Sequence, residues 1–107
     1  MSEINKLIYR ILKVLRDSMS ADEFDPYRIS PEHLGTDKNT RDSILEQLLT
    51  DGYIRGPELV QYIGETRPTV TNLENTKITI KGLEYLDENS LMQKAERLAK
   101  GIADTIK

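Results

Sequence analysis

The chain has 107 residues, of which 37% are hydrophobic and 31% charged, with a formal net charge of −3. That length closes one apolar core but is short for two domains of ordinary size, and the interspersed charges exclude both a disordered polyanion and a membrane-spanning protein. With no cysteine there can be no disulfide framework or thiolate metal site, and the N-terminus lacks the apolar run of a signal peptide, so a cytoplasmic protein is expected.

From Glu3 to Asp17, the residues Ile4, Leu7, Ile8, Ile11, Leu12 and Leu15 recur at three- and four-residue intervals, the stripe of an amphipathic helix over 3–17. The stretch from Asp17 to Pro26 is rich in side chains that compete for backbone hydrogen bonds and ends in a proline without a donor, so it reads as a loop. Ser30-Pro31-Glu32-His33-Leu34-Gly35 spells a short helix over 30–35: serine as N-cap, proline in the first turn, glycine at the stop. Thr36 or Asp37 then starts a helix over 37–51, with Ile44, Leu45, Leu48 and Leu49 on one face and Gly52 as its breaker. Two helices across a glycine-bearing turn form a helix-turn-helix candidate.

Beyond Gly52, segments rich in β-branched and aromatic residues predict strands over 53–63 and 70–78, joined by the turn-rich tip Gly64-Glu65-Thr66-Arg67-Pro68. Pro57 implies an edge strand or a bulge within the first of them. Thr79 caps a predicted helix over 79–88 that carries Leu83, Tyr85 and Leu86. Ser90 with Gln93 three residues later is a capping box for a last helix over 90–106, whose stripe comprises Leu91, Ala95, Leu98, Ala99, Ile102 and Ile106. Gly101 within that stripe costs roughly 1 kcal/mol of helicity relative to alanine. The expected fold is mainly α with a small antiparallel β wing (α+β): a single winged helix-turn-helix domain over 1–107 with an additional C-terminal helix.

The stretch from Ile78 to Ser90, with Asp51-Gly52-Tyr53-Ile54 and the amphipathic opening helix, resembles the YjcQ-like family of small bacterial and phage-associated proteins. The resemblance implies a winged helix and brings no activity with it. The element Thr79-x-x-Gly82-x-x-Tyr85-Leu86 also resembles the strand-to-helix exit after the wing in winged-helix regulators, a fold-level likeness that transfers little chemistry.

A DNA reader of this type places its second helix in the major groove, with residues near the N-terminus of that helix facing base edges. The candidates are Lys38, Asn39, Thr40, Arg41, Ser43 and Gln47, joined by Arg67 at the wing tip: asparagine suits adenine, arginine suits guanine, and serine or threonine suits either. Helical steps of about 100° per residue, counted from Ile44, Leu45, Leu48 and Leu49, put Asn39, Ser43, Glu46, Gln47 and Thr50 outward and Arg41 inward. From Ser30 to Gly52, Lys38 and Arg41 face Glu32, Asp37, Asp42, Glu46 and Asp51, a balance that gives phosphate little footing. Basic residues elsewhere are Lys6, Arg10, Lys13 and Arg16 on the first helix and Arg55, Arg67, Lys77 and Lys81 around the wing. Arg67 is read either as a phosphate or groove contact or as a solvated arginine.

His33 is the only histidine, and no nucleophile stands near it in sequence, so no catalytic set is expected. Asp22, Glu23 and Asp25 lack the alternating ligands and glycine turn of a calcium loop. There is no phosphate-binding glycine motif, so neither cofactor nor metal is expected. The apolar stripe of the last helix, with Leu91, Ala95, Leu98, Ile102 and Ile106, must be covered by the first helix, a second subunit or a foreign partner. Two functions stay open: a winged-helix regulator bound to double-stranded DNA, as a homodimer through the C-terminal helix, or a protein-interaction module that uses the same fold without DNA. No membrane partner is expected.

Overall fold

A computed structural model describes residues 2–99, without the side chains of residues 92, 93 and 95–99. The first helix, α1 (Glu3–Asp17), is opened by Ser2, whose side chain accepts from the Asn5 N–H at 3.1 Å. Its apolar stripe is buried unevenly. Ile11, Leu12 and Leu15 lie in the core and Leu7 and Ile8 are partly buried, while Ile4 keeps 47% of its surface in water. The N-terminal part of the stripe therefore overhangs the core, a fact that shapes the candidate site.

A 3-10 turn (Pro26–Ile29) follows, inside a region that the sequence marks as loop only up to Pro26. Asp25 caps it by accepting from the Tyr27 N–H at 3.0 Å, and the turn delivers Ile29 into the core with no exposed surface. Helix α2 (Pro31–Leu34) has Ser30 as N-cap and Gly35 as a left-handed C-cap at φ 73°, the conformation glycine adopts without a Cβ penalty. The α2 carbonyls of His33 and Leu34 accept from the Arg10 guanidinium at 3.2 and 2.9 Å. Arg10 thus joins α1 to α2 and is not simply part of a solvated basic face.

Helix α3 (Lys38–Thr50) uses Asp37 as its N-cap, accepting from the Thr40 N–H at 2.7 Å. It closes with Tyr53 N–H donating back to the Leu48 carbonyl at 2.9 Å while Gly52 sits at φ 84°, the glycine-terminated wrap that satisfies last-turn carbonyls. Ile44, Leu45 and Leu48 are buried, so the apolar positions expected to face inward do so.

The β segment is not two uninterrupted strands over 53–63 and 70–78. It consists of two short antiparallel ladders. Strand β1 (Ile54–Arg55) pairs with β4 (Lys77–Ile78), and β2 (Glu58–Val60) pairs with β3 (Thr69–Thr71). Gly56 and Pro57 break the first arm; Asn72 at φ 60° and a 3-10 turn (Leu73–Asn75) break the second. Gly56 has φ 109°, and a Cβ there would overlap the Asn75 carbonyl, so close backbone approach fixes glycine at that point. Strand β2 ends at Val60, leaving Gln61, Tyr62 and Ile63 in the exposed tip.

The two helices expected over 79–88 and 90–106 are one through the described residues: α4 runs Ile80–Ala99 without a break at Glu88-Asn89-Ser90. Thr79 starts it, accepting from the Gly82 N–H at 3.1 Å and donating its hydroxyl to the Gly52 carbonyl at 2.6 Å. Asn89 donates its side-chain amide to the Tyr85 carbonyl one turn back at 2.9 Å. Polar residues at that point cost only tenths of a kcal/mol each in helix propensity, so a Ser90 capping signature cannot interrupt a helix already propagating through it. The part of the expected C-terminal helix beyond Ala99 lies outside the described residues.

α4 packs on α1, and α1 also meets β4. The resulting core draws Ile11, Leu12 and Leu15 from α1, Ile44, Leu45 and Leu48 from α3, Ile54, Val70 and Ile78 from the strands, and Leu86 from α4, with Ile29 and Leu34 between. The architecture is α+β, with the small sheets following the helical core. None of the described helices is long and apolar enough to cross a membrane.

Candidate functional site

The outward face of α3 meets the overhanging start of α1. Between them runs an open groove of about 420 Å³, with Ile4 and Ile8 on one wall and Ile44 and Leu48 on the other. Asn39, Thr40, Ser43 and Gln47 form a polar seam along it, and Arg67 closes one side from the loop between β2 and β3. The size falls in the range of binding clefts, as does the combination of an apolar floor with a few polar groups.

The polar candidates are brought together only in part. Asn39 and Gln47 are exposed. Ser43 accepts a hydrogen bond from Arg67 Nη1 at 3.0 Å. Thr40 spends its hydroxyl on the Asp37 cap at 2.8 Å, which leaves it more a helix-start residue than a reader of ligands. Asp37 itself is held below its ordinary carboxylate value of 3.8 by the backbone N–H and then the hydroxyl of Thr40.

Arg41 does not belong to this surface. Its residue keeps 7% exposure, its Nη1 donates to the Ile29 carbonyl at 3.0 Å, and its Nε donates to Asp42 at 2.8 Å. The turn of α3 carries the side chain inward, where it satisfies the end of the 3-10 turn and has no free donor face for a base or phosphate. Lys38 also binds Asp42, with Nζ 2.9 Å from the carboxylate. Asp42 therefore draws charge from both basic residues of α3.

Some other cations are engaged as well, whereas Lys13, Arg55 and Lys77 make no ion pair or side-chain hydrogen bond among the described residues. Lys6 pairs with Glu3 at 3.6 Å and Arg16 with Asp17 at 3.2 Å. Arg28 donates to Ser18 at 3.0 Å. Lys81 donates to the Asp51 carbonyl at 2.9 Å while lying 4.8 Å from the Tyr53 ring centre, so it closes the C-terminus of α3. Within the groove Arg67 is the one charged side chain in the lining, and among the described residues it makes no ion pair.

His33 is exposed and stands edge-on to Tyr27, ring centres 5.5 Å apart. Of the residues considered for a dimer or partner interface, Leu91 keeps 68% exposure; the side chains of Ala95 and Leu98, and the whole of Ile102 and Ile106, lie outside the described residues. Ile4 and Ile8 are the site residues that sequence reasoning missed. They belong to a stripe that reads as core throughout, and only the packing of α1 shows where that core ends.

An α+β chain with helices α1 to α3 ahead of two short antiparallel ladders and a long closing helix defines the class of fold. A family model described as YjcQ protein matches residues 9–105, and the chain belongs to that family. No curated protein and no solved structure matched the chain.

Proposed function

We propose that this chain is a non-catalytic module of the winged-helix kind, set in the cytoplasm, that uses the α1–α3 face to hold a protein and does not read duplex DNA. The observation that carries the reading is the groove itself. The face that a winged-helix regulator would turn to the bases is here half-apolar, and its helix has both basic residues drawn to Asp42. Phosphate contacts supply most non-specific affinity for nucleic acid, and a lining with Arg67 as its one charged side chain offers little of that. Apolar surface left open at Ile4 and at half-buried Ile8 instead rewards burial against apolar surface at roughly 25 cal/mol per Å².

The second reading, a DNA-binding regulator, is favoured by the neighbouring positions of Arg67, Ser43 and Asn39, which combine a phosphate-type and a base-type contact. Fluorescence anisotropy with a mixed-sequence duplex, at dilute and at physiological salt, separates the two. The protein-binding reading expects no saturable signal at either. Saturable binding that weakens steeply with salt would reinstate the regulator.

A further inference from the structure

We infer that Asp42 is the residue that bars nucleic-acid phosphate from the start of α3, by cancelling the charge of both cations that this helix carries. This assignment rests on the protein-binding reading and names what denies duplex DNA to that face.

One carboxylate serves two cations. Lys38 Nζ lies 2.9 Å from Asp42 Oδ2, and Arg41 Nε donates to Asp42 Oδ1 at 2.8 Å. Lys38 has 66% of its side chain in water, whereas the Asp42 side chain keeps 12%. Packing therefore fixes the carboxylate, and the flexible ammonium bends back to it. A phosphate reaching for Lys38 has to displace that bond and approach a fixed like charge.

Asp42 also decides the charge of its surroundings. Lys38, Asn39 and Asp42 line a polar hollow of about 380 Å³, to which the β2–β3 loop contributes Glu65 and Arg67. The hollow lies at the N-terminal end of α3, the part that a helix-turn-helix reader turns toward bases and phosphates. Its lining holds two cations and two carboxylates, so it is neutral as it stands and turns basic without Asp42.

Neighbouring carboxylates do not hold these cations. Asp37 is spent on the Thr40 N–H and hydroxyl at the N-cap. Glu65 accepts from Thr69 at 3.4 Å, and neither it nor Glu46 makes an ion pair among the described residues. If Asp42 served only to anchor Arg41, an amide would do, since its oxygen still accepts from Nε. The amide cannot cancel charge. An i, i+4 pair with the lysine first adds little to helix stability, so the Lys38 contact has small structural value.

The test uses the full chain, a mixed-sequence duplex and fluorescence anisotropy at dilute and at physiological salt, with a thermal melt of each variant. Asp42→Asn is expected to acquire saturable binding in dilute salt, about tenfold or more above the wild-type limit, as one opposing charge near phosphate is removed. That affinity is expected to fall with salt, with a logarithmic slope of about 0.9 for each phosphate contacted. Adding Lys38→Ala to Asp42→Asn is expected to abolish most of the gain. Glu46→Gln, which changes net charge equally and releases neither cation, is expected to gain nothing. The inference is overturned, and the protein-binding reading left standing, if Asp42→Asn melts cooperatively yet binds no duplex. An equal gain in Glu46→Gln overturns it too, as does a gain that survives Lys38→Ala. Should Asp42→Asn fail to fold, Arg41→Gln/Asp42→Asn carries the same expectation with no unmatched charge left buried. Failure of both to fold overturns the inference, because Asp42 then serves the fold. Saturable duplex binding by wild type removes the protein-binding reading itself.

Discussion

Arg67 in the β2–β3 loop and Ser43 on α3, 24 residues apart in sequence, are joined by a hydrogen bond of 3.0 Å from guanidinium to hydroxyl. The bond is exposed, so it fixes the position of the β2–β3 loop more than it stabilises the fold. Replacing Ser43 with alanine is expected to change unfolding free energy by no more than about 1 kcal/mol. Amide exchange should accelerate over residues 64–69 and stay slow around Leu45. A loss above about 2 kcal/mol in urea would mean that the bond helps hold the whole fold, and unchanged exchange in the tip would show that it does not tether residues 64–69.

Arg41 behaves as part of the core. Its removal leaves the Ile29 carbonyl without its donor and strips the packing of a long side chain. Arg41→Ala is expected to cost roughly 2–3 kcal/mol, combining an unpaired buried acceptor with lost contacts. Arg41→Lys should recover less than half of that, because one ammonium cannot replace a fork that reaches Ile29 and Asp42 in different directions. Urea midpoints for the two variants check this, and a change within about 0.5 kcal/mol for alanine would return Arg41 to the surface.

Glycine to alanine inside a helix ordinarily gains about 1 kcal/mol. At Gly82 in α4 the sign is expected to reverse. A Cβ there would overlap the Tyr53 carbonyl and approach the Ile78 side chain to 2.6 Å, and overpacking of that kind costs typically 1–3 kcal/mol. Thermal unfolding of Gly82→Ala should therefore occur below wild type; a rise in Tm would mean that α4 can shift away from Tyr53.

These particular residues show where sequence was a sufficient guide. The caps at Ser30, Gly35, Asp37 and Gly52 are local contacts within a few residues, so their chemistry is written in the chain order. The helical count that turned Arg41 inward agrees with its burial, since periodicity alone sets that direction. The breaks in the β segment were visible only as Pro57, because the need for Gly56 comes from Asn75 on the opposite arm. The continuity of α4 was hidden by a capping signature at Ser90 that the preceding turns override. Ile4 and Ile8 read as core, because a stripe does not say how far the surface covering it extends.

Asp37 provides a pH-dependent handle on α3. The folded state holds its carboxyl below the ordinary 3.8 through the Thr40 N–H and hydroxyl, so folding favours the ionised form. Its stabilising contribution is full above 3.8 and is lost as pH falls through the lower folded-state value. Asp37→Asn keeps a capping oxygen but does not titrate. The Tm advantage of wild type over this variant is expected to be present near neutrality and to shrink once pH drops below 3.8. A difference that stays constant across that range would mean that the cap does not depend on its charge.

The most direct test of protein binding at the α1–α3 face is photo-crosslinking from the groove. A p-benzoylphenylalanine placed at Gln47 in the full chain, expressed in its native cells and irradiated, reports what lies against α3, with Glu74 outside the groove as the control position. The account requires a discrete protein adduct from position 47 that is absent from position 74 and reduced by Arg67→Glu. Adducts to DNA from position 47, or equal protein labelling from both positions, would contradict it.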